Sequence, residues 1–218
     1  MEVLVAMAVF VASHVVARRS GLRPALVRRL GEQAYLTIYS VVSLLLLTWV
    51  IWALLAADRI MLWSAPAWSY EFAAVATFAG FILIGIGSIV PNPNSVAFRK
   101  TGFDPDRPGV VGWVRHPLIL GLALWGLAHV PANGDWPSVI LFGGTALFGV
   151  IGVVSFERRL KREFGEDEWS RLTSGRGHLD RRAVFGAAFG VVLWVAFIVL
   201  HPVLFGVNPW AGLVTRFG

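Results

Sequence analysis

The chain has 218 residues, 56% of them hydrophobic and 15% charged, with a mean hydropathy of +0.68. Those values lie outside the range of water-soluble domains and point to an all-α, polytopic transmembrane helical bundle. No cysteine is present, which excludes disulfides, thiolate metal ligands and cysteine nucleophiles and leaves any metal to histidine, carboxylate or thioether.

About six spans are expected, with short connections, in a single integral membrane domain covering residues 1–218. The first, at about 2–17, holds His14 one turn before Arg18 and Arg19. It does not read as a signal peptide, because the positive charges follow the apolar run instead of preceding it. Residues 34–57 form the cleanest span, with Tyr35 and Tyr39 near one end and Trp49 and Trp52 toward the other. The third, 69–90, contains Gly80, Gly85 and Gly87, which permit close approach of a neighbouring helix or a flat ligand, and Pro91 and Pro93 end it. A fourth span is placed at 114–130, and Asn133, Gly134 and Asp135 read as a tight turn into a fifth at 137–156. Residues 157–172 are charged but keep Leu160, Phe164, Trp169 and Leu172 at roughly helical spacing, the pattern of an amphipathic segment on the membrane surface. The last span covers 183–204 and ends near His201 and Pro202.

Six spans put the connections alternately on two sides. The loops at 18–33, 91–115 and 157–182 hold 17 of the 19 lysines and arginines, the other two being Arg59 and Arg216. This asymmetry places the three basic loops inside and both termini outside. The net charge of +6 is thereby used for topology, and a nucleic-acid partner loses its main support. The partners expected instead are the lipid bilayer and a lipophilic small molecule.

Ionisable groups at membrane depth are costly and are therefore functional candidates. His178 lies in a charged loop and reads as a solvated residue, and His201 reads as an interfacial one. His14, His116 and His129 lie within or at the ends of spans, where neutral imidazoles in a cysteine-free bundle suit haem ligation or fix helix packing by hydrogen bonds. His116 and His129 are 13 residues apart, about 20 Å along one helix, so they do not share one iron. One of them would pair with a residue of another span, for which His14 is the obvious partner; depth favours His116 in that role.

The segment LWGLAHVPANGDWPSVILFGG (Leu124 to Gly144), the early His14 before the basic loop through Leu30, Gly31 and Glu32, and Tyr39 with Ser40 resemble the NnrU family of bacterial membrane proteins. That family is associated with denitrification and nitric oxide metabolism and is related to zeta-carotene isomerase. The resemblance implies haem b, with His14 and His129 at the positions of the metal-ligating histidines, and redox-gated isomerisation of a polyene. Where the isomerase has a cysteine three residues before the second ligand, this chain has Gly126, so ligand switching of that type is not expected.

A second resemblance concerns RHPLILG (Arg115 to Gly121) and the run from Glu157 to Leu172, which are similar to the isoprenylcysteine and phospholipid methyltransferase group. There an R-H-P-x-Y-x-G stretch and a later glutamate hold S-adenosylmethionine at the cytoplasmic face. The likeness implies that Arg115 and His116 are cofactor-binding, although Ile119 replaces the tyrosine and Trp169 stands where another tyrosine is usual. Three functions therefore stand as expectations: a haem-dependent redox or isomerase protein, an S-adenosylmethionine-dependent methyltransferase, and a non-enzymatic accessory to a nitrogen-oxide reductase.

Overall fold

Apolar runs punctuated by glycine, proline and charge become helices throughout the residues that the computed structural model describes, 1–19 and 21–209, the side chains of 17–19 excepted. The helices are α1 (Glu2–Arg19), α2 (Leu22–Leu30), α3 (Glu32–Ala56), α4 (Ser69–Ile89), α5 (Pro117–His129), α6 (Trp136–Phe164), α7 (Glu166–Thr173) and α8 (Arg181–Phe205). The side chains of Arg18 and Arg19, and Arg216, lie outside the described residues. Contacts divide the chain into two units, one of Met1–Ser64 with Asn133–Gly144, the other of Ala65–Ala132 with the residues from Thr145 on.

In the first unit α1 packs antiparallel against α3. Glu2, at the start of α1, accepts a hydrogen bond from Nε1 of Trp49 near the end of α3, at 3.0 Å. Val3, Ala6, Met7, Val50, Ala53 and Leu141 form the buried core. Gly31, with φ +82 and ψ 157, separates α2 from α3, a backbone region reserved for glycine. The expected tight turn at Asn133–Asp135 is instead extended chain. Asp135 bridges antiparallel to Met61, and Leu62 N donates to Gly134 O at 2.7 Å. Gly134 packs on the Trp63 carbonyl with no space for a Cβ, and Asp135 caps α6 by accepting from Ser138 N and Ser138 Oγ. Arg59 pairs with the same buried carboxylate at 3.3 Å.

In the second unit α4 is the central helix, packed against both α5 and α8. Glycine makes these contacts possible. Gly80 meets Gly121, Gly87 meets the backbone of Leu118, and Gly85 meets Gly186 and Gly190 with no space for a side chain. The α4 glycines thus face the backbones of neighbouring helices. Both α5 and α8 run antiparallel to α4, and Asp180 starts α8 by accepting from Ala183 N at 2.7 Å.

Four helices, α3, α4, α6 and α8, are long and apolar enough to cross a membrane. The expected span at 114–130 is a helix of only 13 residues, because Pro117 at its first turn sets its start; about 20 Å of rise falls short of the roughly 30 Å hydrocarbon layer. The fifth span overshoots instead. At 29 residues α6 rises roughly 44 Å and carries Glu157 through Phe164 as its own charged end. The surface segment expected at 157–172 is consequently two pieces, the end of α6 and the short α7, broken at Gly165 with φ +80 and ψ 168.

Candidate functional site

The residues at the foot of α5 form a polar cluster within the second unit. Asn92, buried where α4 ends, holds the connection in place: its Nδ2 donates to Arg115 O at 2.7 Å, its N donates to Arg99 O and its Oδ1 accepts from Asn94 N. That arrangement presents Arg115 and His116 to Glu157 of α6. Glu157 Oε1 accepts from Arg115 Nε at 2.7 Å and from His116 Nε2 at 2.9 Å. Because a carboxylate only accepts, the His116 proton sits on Nε2, and Nδ1 accepts from Ser95 Oγ at 2.9 Å. His116 precedes α5 and lies outside the spanning helices. Burial pulls its pKa below the ordinary histidine value, while the hydrogen bond and charge of Glu157 act in the opposite direction.

Over this cluster lies α7, with Trp169 as its buried side chain. The Arg115 guanidinium carbon stands 5.8 Å from the Trp169 ring centroid. Asn94, Phe103, Val111, Arg115, His116 and Trp169 help to line a cleft of about 10 Å³, room for about a single water. Of the acids in the run from Glu157 to Leu172, the one that meets Arg115 and His116 is Glu157, a residue that sequence reasoning did not single out. Its place as the first acid after the apolar part of α6 was the available signal. Ser95 and Asn92 carried no comparable mark beyond lying in a polar loop.

His14 and His129 belong to different units. In the first, His14 Nδ1 lies 2.8 Å from Phe10 O, and its ring packs on Phe10 and edge-on to Tyr39, at centroid distances of 4.6 and 5.5 Å. Ser13 Oγ is 3.2 Å from the same nitrogen. In the second, His129 Nδ1 lies 2.8 Å from Trp125 O, and its ring is 4.8 Å from that of Trp125. Both histidines thus bond the carbonyl four residues earlier on their own helix through Nδ1, which leaves the lone pair of a neutral ring on Nε2. His201 bonds Val207 O through Nδ1, and His178, half-buried, bonds Gly109 O through its backbone N–H. Among the described residues no three histidines or carboxylates gather into a site for a bare metal ion.

The tautomer of His14 and His129 is the one in which imidazole ligates metals, the other nitrogen being tied to a backbone carbonyl. Haem asks for only one or two such ligands, and each imidazole taken by itself is a donor of that kind. The Arg115, His116 and Glu157 cluster is a different kind of site, a charged and hydrogen-bonded one at the end of the helices. No curated protein matches the chain, and no solved structure does. A family profile described as NnrU protein matches residues 2–209. Together with four helices apolar and long enough to cross a bilayer, that match makes the chain a membrane protein belonging to the NnrU family.

Proposed function

We propose that this protein binds haem b, with His14 and His129 as the histidines that would ligate it, and acts in redox or isomerisation chemistry on a lipophilic substrate or in denitrification-linked metabolism. The observation that carries this reading is the shared tautomer: each imidazole is held by Nδ1 on a helical carbonyl, which commits Nε2 to accept. The aromatic rings of Phe10, Tyr39 and Trp125 beside them supply flat apolar surface of the kind a macrocycle packs on. Bound haem would supply an iron centre that changes redox state. The chain's own part is to orient the two imidazoles through their Nδ1 hydrogen bonds. We further propose that the protein is a multi-pass protein of the bacterial inner membrane with both termini outside. Support comes from the second unit, where the basic loops at 91–115 and 157–182 meet at one end: His178 N bonds Gly109 O, and Arg182 bonds Gly102 O.

A visible absorption spectrum of the detergent-purified protein tests the haem reading. A Soret band is expected in the wild type and is lost in His14→Ala and in His129→Ala, while His178→Ala keeps it. A band that survives both ligand variants, or no band after growth with excess haem, would refute it. A second reading is favoured by one specific observation. Arg115, His116 and Trp169, residues of the methyltransferase-like stretches, line one cleft, and Glu157 of the same stretches holds Arg115 and His116 there. S-adenosylmethionine bound by a haem-free protein, and lost in Arg115→Ala, would establish that reading in place of the first; because the cleft has room for about one water, such binding would require α7 to move.

A further inference from the structure

A second, larger opening lies in the same unit where α4 ends and α8 begins. Its volume is about 280 Å³, against about 10 Å³ for the cleft beside Trp169. Arg107, Arg182, His178, Asp104 and Asp180 line it, over an apolar wall that includes Phe103. The charges are of both signs and are arranged by the backbone. Asp104 Oδ1 accepts from Asp106 N and so fixes the turn that carries Arg107. Asp180 Oδ1 caps α8, and Arg182 Nη1 donates to Gly102 O across the groove at 3.3 Å. Among the described residues neither Arg107 nor Arg182 is in an ion pair, so four charged side chains face the opening without neutralising one another by direct contact.

We propose that this groove binds the headgroup of a zwitterionic phospholipid, its phosphate toward Arg107 and Arg182 and its ammonium toward Asp104 and Asp180. A purely anionic ligand would meet two carboxylates there, and a purely cationic one two guanidiniums. A molecule carrying one charge of each sign, a few bonds apart, satisfies both pairs. The position selects a lipid over a soluble zwitterion. Both α4 and α8 are helices long and apolar enough to span, so the junction of their ends is at headgroup level. Phe98 and Trp113, on the loop that forms one wall, are 85% and 60% exposed, the placement of aromatic anchors at a membrane interface. The proposal does not depend on the haem reading, since none of these residues belongs to it.

Thermal unfolding of the detergent-solubilised protein, titrated with dihexanoyl phosphatidylethanolamine, dihexanoyl phosphatidylglycerol or free phosphoethanolamine, tests the assignment. The ethanolamine lipid is expected to stabilise saturably and more strongly than the other two. Arg107→Ala, which breaks no ion pair among the described residues, should weaken that effect at least fivefold, with partial recovery in Arg107→Lys. Asp104→Asn, which keeps the oxygen that accepts from Asp106, should abolish the preference for ethanolamine over glycerol. Equal stabilisation by both lipids, an undiminished response in Arg107→Ala, or an equal response to free phosphoethanolamine would each overturn the proposal.

Discussion

Glu157 joins α6 to the start of α5. One of its oxygens receives both Arg115 Nε and His116 Nε2, and His116 in turn receives Ser95. Arg115 is about half exposed, so its ion pair alone contributes little. The buried His116 is different, because leaving its N–H unsatisfied incurs the full desolvation penalty of that group. Glu157→Gln, which removes the charge that both donors share, is expected to destabilise the protein by about 1–2 kcal/mol. Denaturant or thermal unfolding in detergent checks this, and unchanged stability would mean that the cluster contributes no net energy. The histidines themselves were visible in the sequence, because an ionisable group in an apolar run stands out. Their partners were not, since Ser95 and Glu157 lie 21 and 41 residues away from His116 and only the fold brings them near.

Helix boundaries were legible to within a few residues wherever glycine, proline or charge interrupts the apolar pattern. Three features escaped. Helix α2, Leu22–Leu30, forms inside the stretch 18–33 that reads as a loop. Helix α6 runs eight residues past the apolar stretch, because Arg, Lys and Glu are good helix formers and a spanning helix continues through charge once it leaves the hydrocarbon. The Asn133–Asp135 stretch has turn composition, yet its backbone pairs with Ile60 to Leu62, a long-range contact that local residue preference cannot announce. The glycines of α4 left helix and ligand open as alternatives in the sequence, and packing decided for helices. Their energetic role follows from the space around them. Gly85→Ala and Gly190→Ala drive a methyl into the facing backbone and should each cost about 1–3 kcal/mol. Gly152→Ala, whose methyl would meet only Ile119 at 3.7 Å, should be neutral or stabilising by up to about 1 kcal/mol. Equal effects at the three positions would contradict close α4–α8 packing.

At the scale of the whole molecule, composition alone carried the membrane assignment and the all-helical class. Topology rests on charge asymmetry and on chain direction. In the second unit α5 is short but still reverses the chain: it runs antiparallel to α4, and its foot meets Glu157 at the far end of α6. The proposed topology requires α1 and α5 to cross together with the four long helices, six traverses that put both termini outside. Alkaline phosphatase fused after Gly218 is therefore expected to be active and a fluorescent protein sensitive to export to be dark; the reverse pattern would overturn the proposed topology. The haem proposal is the claim on which the functional reading depends most. Titration of haemin into purified, haem-depleted protein tests it directly. A saturable Soret shift that is present in the wild type and absent in both His14→Ala and His129→Ala is the expected result, and a shift that never saturates, or that persists in both variants, would contradict it.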